Sequence, residues 1–482
     1  MLAQSPIRAT DGPRPQAVIL GVQLPDVSND AFTASLKELE RLAETLGLTV
    51  VGRVTQRRHA LITASVVGSG KLKELAAFTG GSGELARYSA PGKKEPVDEP
   101  EAVQVSRSEA DEPDEPEGTS NEPAAGEPKA TIVLVDHDLS PGQMRNLEKA
   151  TRAEVLDRSM VILSIFQRHA RTREARMQVE IAQLSYMAPR LREANAGHDR
   201  QRGGIGGKGA GESALELDRR RIRDRIAELR RELEVVKREA DTRRSRRSGT
   251  ETSSVALVGY TNAGKSSLMR ALTGDDVYVA DQLFATLDTT VRALSPETRP
   301  RILVSDTVGF IKKLPHDLVA SFRSTLEEAK DASLLLHVVD ASDPAFRDQY
   351  QVTRTVLEEI GAGQQPGILV LNKADRLSDE EIAMIAQEFP DGIIMSVRSA
   401  ADVEQLQLRI RDFFDRDMQE EEFLVPYSQQ RHVAVLHERG RVLEEKYDES
   451  GARVRVRAPS AVLGGLRREL FGPDPVQDHD AD

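Results

Sequence analysis

The stretch from Val255 to Ser267, VALVGYTNAGKSS, constrains this chain more than any other. Val255–Val258 is a short apolar run of the kind that forms a buried strand. Gly259, Tyr260, Thr261, Asn262, Ala263, Gly264, Lys265 and Ser266 then match GxxxxGK[ST] in full, and a helix-like run begins at Leu268. A strand, a glycine loop and a helix in this order make a concave anion site from backbone N–H groups and a helix N-terminus. Lys265 is expected to reach the β- and γ-phosphates, and the Ser266 hydroxyl to bind Mg²⁺.

Two later motifs define the nucleotide, and the second selects its base. Asp306, Thr307, Val308 and Gly309 follow the strand-like Ile302–Ser305. Asp306 is suited to hold Mg²⁺ through water, and the Gly309 N–H to sense the γ-phosphate. Asn372, Lys373, Ala374 and Asp375 follow the strand-like Ile368–Leu371. The Asp375 carboxylate can accept from N1–H and the N2 amine of guanine, donors that adenine lacks there. GTP is therefore the expected substrate and Mg²⁺ the expected cofactor. Ser396, Val397 and Arg398 end a last strand and are placed to support the base from their backbone.

Between the first two motifs lies Phe284, Ala285, Thr286, Leu287, Asp288, Thr289 and Thr290. A threonine here should bind Mg²⁺ only when the γ-phosphate is present, which orders the loop. Thr286 is the first choice, with Thr289 and Thr290 as rivals. Lys265, Thr286 and Gly309 form the expected catalytic set. Phe310 stands where Ras-like enzymes place a water-orienting glutamine, and phenylalanine can neither donate nor accept. Another group must therefore position the water, and slow unassisted turnover is expected.

The fold class expected is α/β and multidomain. Residues 1–160 read as an N-terminal α/β domain, with strands at 17–22, 48–51, around 61–63 and at 131–136, and a helix over 30–46. Gly68, Ser69, Gly70 and Lys71 resemble half of a phosphate loop, but Leu72 follows where Ser or Thr is needed, and a helix-capping turn fits better. Gly80–Pro128 is rich in Pro, Glu, Asp, Gly and Ser and has little to bury, so disorder is expected.

Residues 161–248 read as a long basic helical hairpin, its first helix broken near Pro189 and its tip the Gly-rich 203–211. Residues 249–416 are the nucleotide domain and 417–482 a small C-terminal α+β domain and tail.

Charge is unevenly spread. The chain carries a net −12, yet Glu95–Pro128 alone holds a net −11, and Gln167–Ser248 holds a net +9. Such a basic block suits RNA although the whole chain is acidic. There is no cysteine, which excludes disulfides and thiolate metal sites. No apolar run approaches membrane-spanning length, and Met1–Gln16 lacks the apolar centre of a signal peptide. A cytoplasmic monomer without an integral membrane segment is expected, with peripheral membrane association left open.

Three sets of residues together resemble one family. These are Arg171-Thr172-Arg173-Glu174; Gly203–Gly206 with Gly211-Glu212 and Asp218–Ile222; and Asp306–Ile311 followed by Leu314-Pro315-His316. With Gly68–Leu75, Leu139-Ser140-Pro141 and Asn146-Leu147-Glu148, they are similar to the HflX GTPases of the Obg–HflX group over about residues 16–470, the acidic insert excepted. The resemblance implies a GTPase that binds the large ribosomal subunit and splits ribosomes under stress, with the hairpin loop near the peptidyl transferase centre. It also implies Ser266 and Thr286 as the Mg²⁺ ligands. Three features depart from the family pattern: Val397 in place of alanine, Gly207, Lys208 and Ala210 in the hairpin loop, and the acidic insert. Rival readings are an RNA-remodelling ATPase with a second site at Gly68–Lys71, and a regulator that binds a protein through the acidic insert.

Overall fold

A computed structural model describes residues 14–61, 66–85, 129–194, 214–248, 253–274, 283–284, 290–312 and 328–471. The chain divides into two compact units, one from residues 1–165 and 187–215, the other from 166–186 and 216–482. The division runs through the hairpin expected at 161–248 and does not follow its limits.

In the first unit, β1 (Gln16–Gln23), β2 (Thr49–Arg57), β3 (Ile132–Val135) and β4 (Glu154–Asp157) form a parallel sheet in the order β2-β1-β3-β4. β1 and β3 are almost wholly apolar because both faces of a parallel strand are covered. Helices α1 (Asn29–Thr45), α2 (Ser69–Thr79) and α3 (Pro141–Thr151) supply the crossovers. A capping box of Ser140 and Gln143, with Pro141 at the first turn, starts α3. Of the strand expected around residues 61–63, only Leu61 is described, and it lies in a loop after β2 ends at Arg57.

Residues 80–85, expected to be disordered, are ordered against the first unit. Gly80 ends α2 in the left-handed conformation, φ +79°, and turns the chain back. Gly83 N then donates to Ala150 O at 3.0 Å, and Leu85 packs on the core. Residues 86–128 lie outside the described set.

The helix expected to break near Pro189 breaks earlier. α4 (Arg158–His169) and α5 (Arg173–Ala194) are separate, and Thr172 Oγ1 accepts from Ala175 N at 3.1 Å. That hydroxyl satisfies an amide at the start of α5, whereas Pro189 sits inside α5 without ending it. α6 (Ala214–Ser248) has 35 residues, about 50 Å of helix. Ile222 and Leu229, seven apart, are buried on it. Arg173–Glu232 (2.8 Å) and Arg225–Glu180 (2.9 Å) tie α5 to α6. The loop 203–211 lies outside the described residues.

The nucleotide domain is a six-stranded sheet, β10-β9-β8-β5-β7-β6. Its strands are β5 (Ser253–Val258), β6 (Thr290–Ala293), β7 (Ile302–Asp306), β8 (Leu334–Asp340), β9 (Gly367–Asn372) and β10 (Ile393–Ile394). Only β6, at the edge, is antiparallel. From β5 the chain first builds β7 and β6 on one side and then β8, β9 and β10 on the other. The crevice beside β5 is thus the switch point of an open α/β sheet, where ligands bind. α7 (Lys265–Thr273) covers the sheet, with Leu268, Met269 and Leu272 in the core.

His337 on β8 packs edge-on against Tyr350, centroids 5.7 Å apart. Burial, helped by the Arg354 charge, pushes its pKa down to about 4. The unfolded chain therefore binds a proton that the folded one refuses, and stability is lost as pH falls below about 6.5 toward 4. Between pH 7 and 5 this should cost about 2 kcal/mol. Thermal unfolding of wild type is expected to fall more steeply over that range than that of His337→Gln. Parallel pH profiles would remove His337 as the cause.

A third sheet, β11 (Met418–Val425), β13 (Gly451–Pro459) and β12 (Arg441–Asp448), is antiparallel with β13 in the middle. Its core includes Leu436 and Leu466 from the helices Arg431–Arg439 and Ser460–Phe471. Among the described residues, no helix is long and apolar enough to cross a membrane.

Candidate nucleotide site

The loop between β5 and α7 takes a path that side chains would obstruct. Gly259 has φ +153°, and a Cβ there would lie 2.1 Å from Val338 O. Gly264 has φ +99°, and its Cβ would meet Asn372 Nδ2 at 2.3 Å. Between them Asn262 adopts φ +60°, a conformation asparagine tolerates. Tyr260, Thr261, Ala263 and Lys265 are buried.

Lys265 Nζ donates to Gly259 O (3.0 Å) and Tyr260 O (2.8 Å). Burial pushes its pKa down to about 8, and the Asp306 charge opposes that shift. A polyphosphate is the counter-charge that would favour the ammonium form and give its protons better acceptors. Ser266 Oγ donates to Asp306 Oδ2 at 2.7 Å. These are hard oxygen donors beside the phosphate loop, the chemistry that Mg²⁺ takes. Thr307 Oγ1 donates to Leu257 O (2.6 Å), fixing the Asp306 backbone against β5. Val308 is buried.

Gly309 closes over the loop. A Cβ there would lie 2.8 Å from Thr261 Cγ2 and 3.1 Å from Lys265 Nζ. Phe310 is 3% exposed, so its ring is packed away from solvent. Its backbone makes a parallel bridge to Tyr260, with Phe310 N donating to Gly259 O (3.1 Å) and Thr261 N to Phe310 O (2.8 Å).

The base-reading residues are cross-linked. Asn372 Nδ2 donates to Ala263 O (2.9 Å), and Val397 N donates to Asn372 Oδ1 (3.2 Å). Ala374 N donates to Met395 O (3.1 Å). Lys373, at φ +65°, donates through Nζ to Asn262 O (2.8 Å) and Asp340 Oδ2 (2.7 Å). Asp375 accepts from Ser396 Oγ (2.6 Å) and pairs with Arg398 (3.3 Å). The Ser396 hydroxyl holds its carboxyl below the usual range, with the Arg398 charge helping.

Two contributors, and one contact of Tyr260, were missed from sequence. Asp340 anchors Lys373, Asp402 Oδ2 accepts from Ser396 N (2.8 Å), and the Tyr260 hydroxyl accepts from Lys312 N (2.7 Å). Asp340 closes β8 just as Asp306 closes β7, a parallel that could have marked it. Phe284 is buried at φ +58°, in edge contact with Phe166 at 4.5 Å between centroids. Ala285, Thr286, Leu287, Asp288 and Thr289 lie outside the described residues. At the half-motif, Gly68 is the N-cap of α2, its N–H donates to Gln56 Oε1 (2.9 Å), and Lys71 pairs with Glu74 (2.8 Å). These are the contacts of a capping turn.

The chain is similar to known proteins along most of its length. Family models match residues 33–84 and 121–167 (GTP-binding GTPase N-terminal), 169–247 (GTP-binding GTPase Middle Region) and 254–373 (50S ribosome-binding GTPase). A protein of Gluconacetobacter diazotrophicus described as GTPase HflX is 54% identical over 461 residues, 96% of this chain and 99% of that one. One of the same description from Escherichia coli K12 is 41% identical over 333 residues, 68% of this chain and 78% of that one. A solved GTP-binding protein of Sulfolobus solfataricus in complex with GDP aligns over 82% of this chain and 99% of its own. Its identity is 21% and its TM-score 0.41.

Proposed function

This chain belongs to the HflX family of GTPases, and from that premise we propose that its GTP hydrolysis drives a conformational switch on the large ribosomal subunit. The observation that carries the proposal is the match of residues 254–373 to a family described as 50S ribosome-binding GTPase. The net +9 of Gln167–Ser248 supports RNA as the surface met by the hairpin. In the proposed cycle, GTP orders Thr286 and the segment from Asp306 to Phe310, that state fits the subunit, and hydrolysis releases it. Splitting of ribosomes under stress is the cellular outcome we assign to it.

Mg²⁺ would be held by Ser266 directly and by Asp306 through water, with Thr286 joining in the GTP state. When bound, the ion would neutralise phosphate charge. Lys265 adds its ammonium to the same oxygens, and the Gly309 N–H reports whether the γ-phosphate is present. Asp375 selects guanine.

Co-sedimentation with isolated large and small ribosomal subunits tests the reading. A non-hydrolysable GTP analogue should carry the protein into the large-subunit pellet, with at least about tenfold weaker binding in GDP. The large subunit should also raise a basal hydrolysis rate of about 10⁻² s⁻¹ or less. Equal binding in both nucleotide states, or preference for the small subunit, would defeat the proposal.

A further inference from the structure

In hydrolysis, water oxygen bonds to the γ-phosphorus and the bond to the β–γ bridging oxygen breaks. GDP leaves with that electron pair, and the water's proton passes to a phosphate oxygen. Some polar group must hold the water in line. Phe310 cannot, because its ring has no donor or acceptor and is buried. We propose that the Thr261 side-chain hydroxyl makes that contact, binding the attacking water and a γ-phosphate oxygen, and that Thr261 is therefore a catalytic residue of this GTPase.

Three observations converge on it. Thr261 is 6% exposed, and its Oγ1 is buried without a hydrogen-bond partner among the described residues. Native structures rarely leave such a group unsatisfied, and those they do leave often belong to a site. Secondly, the Thr261 amide is already committed, since it donates to Phe310 O at 2.8 Å. The hydroxyl is thus the donor with which this residue can still meet the phosphate. Thirdly, Thr261 stands at the point where the γ-phosphate machinery meets. A Cβ on Gly309 would lie 2.9 Å from Thr261 Cα, 2.8 Å from its Cγ2 and 3.1 Å from Lys265 Nζ. Gly309 and Lys265 are the groups that sense and bind the γ-phosphate.

The backbone bridge between Tyr260 and Phe310 gives this position its logic. It holds the Thr261 backbone against that of Phe310, whose ring is buried. A threonine is stiff at χ1, so a hydroxyl fixed there loses little rotamer freedom when it engages water. The proposal rests on GTP hydrolysis alone and is independent of the ribosomal reading.

The test uses the full chain without ribosomes, in Mg²⁺. Thr261→Val keeps the shape and drops the hydroxyl; Thr261→Ser keeps the hydroxyl and drops the methyl. Single-turnover GTP hydrolysis should slow about ten- to hundredfold in the valine variant. GDP affinity should stay within about twofold, while affinity for GDP with aluminium fluoride, which mimics the transition state, should fall in step with the rate. Serine should restore most of the rate and the aluminium fluoride complex. Wild-type hydrolysis by Thr261→Val overturns the proposal. Equal losses in both variants would also overturn it, since packing on Gly309 would then be the cause. So would a loss of GDP affinity matching the loss of rate, because the phosphate loop itself would then be disturbed.

Discussion

Asp375→Asn is expected to weaken GTP binding about a hundredfold and to make xanthosine triphosphate the better ligand. The carboxylate accepts from two guanine donors, and charged hydrogen bonds are worth about 1.5–3 kcal/mol each. Asparagine presents one acceptor and one donor, so its amide would oppose a donor of guanine. Xanthine carries an oxygen in place of the N2 amine and accepts from that amide. The surroundings can accommodate the change. Ser396 Oγ can still donate to the remaining oxygen, and Arg398, 78% exposed, can swing into solvent. Thermal stability should barely move. Competition of guanine, xanthine and adenine nucleotides against a fluorescent GDP measures the outcome. Unchanged affinity and discrimination would show that Asp375 does not read the base.

The second large effect is expected on the proposed ribosomal role. Arg219, Arg220, Arg221 and Arg223 lie on two turns of α6; the last three are exposed, and Arg221 is lightly held by Asp218 at 3.2 Å. An exposed pair of that kind contributes little and can be exchanged for a phosphate. Replacing all four by glutamate should weaken large-subunit binding well over tenfold. It should also flatten the salt dependence by up to about one unit of slope per lost phosphate contact. GTP hydrolysis by the isolated protein should survive, because none of the four belongs to the nucleotide motifs. Binding titrations at several salt concentrations test this. An unchanged slope and affinity would make the hairpin a spacer between domains.

The legibility of the chain follows from how local each signal is. The phosphate loop, Asp306–Gly309 and Asn372–Asp375 are short runs whose chemistry is carried by consecutive residues. They could be read before any fold was known. β5 and β8 were visible as apolar runs bounded by turns, and Ser140-Pro141 announced α3 through its cap. β4 was not seen, because Glu154–Asp157 is four residues long and passes straight into α4 without a glycine or proline. β6 was missed for a similar reason, a short antiparallel edge strand with no buried face. The helix break was assigned to Pro189, the stronger general breaker, but Thr172 supplied a cap three residues before Ala175.

Residue order alone determined that this chain handles GTP, since motif identity and spacing are properties of the covalent chain. Strand order could not be read, because pairing is decided by which apolar faces bury against each other across long separations. Only the tertiary structure brought Asp340 to Lys373, 33 residues away, and Asp402 to Ser396 N. It also decided the part played by Phe310. From sequence the residue was a missing glutamine. In the fold its backbone is bridged to Tyr260 and its ring is buried, while the Thr261 hydroxyl has no hydrogen-bond partner among the described residues. That outcome depends on two loops 50 residues apart meeting at the ends of neighbouring parallel strands.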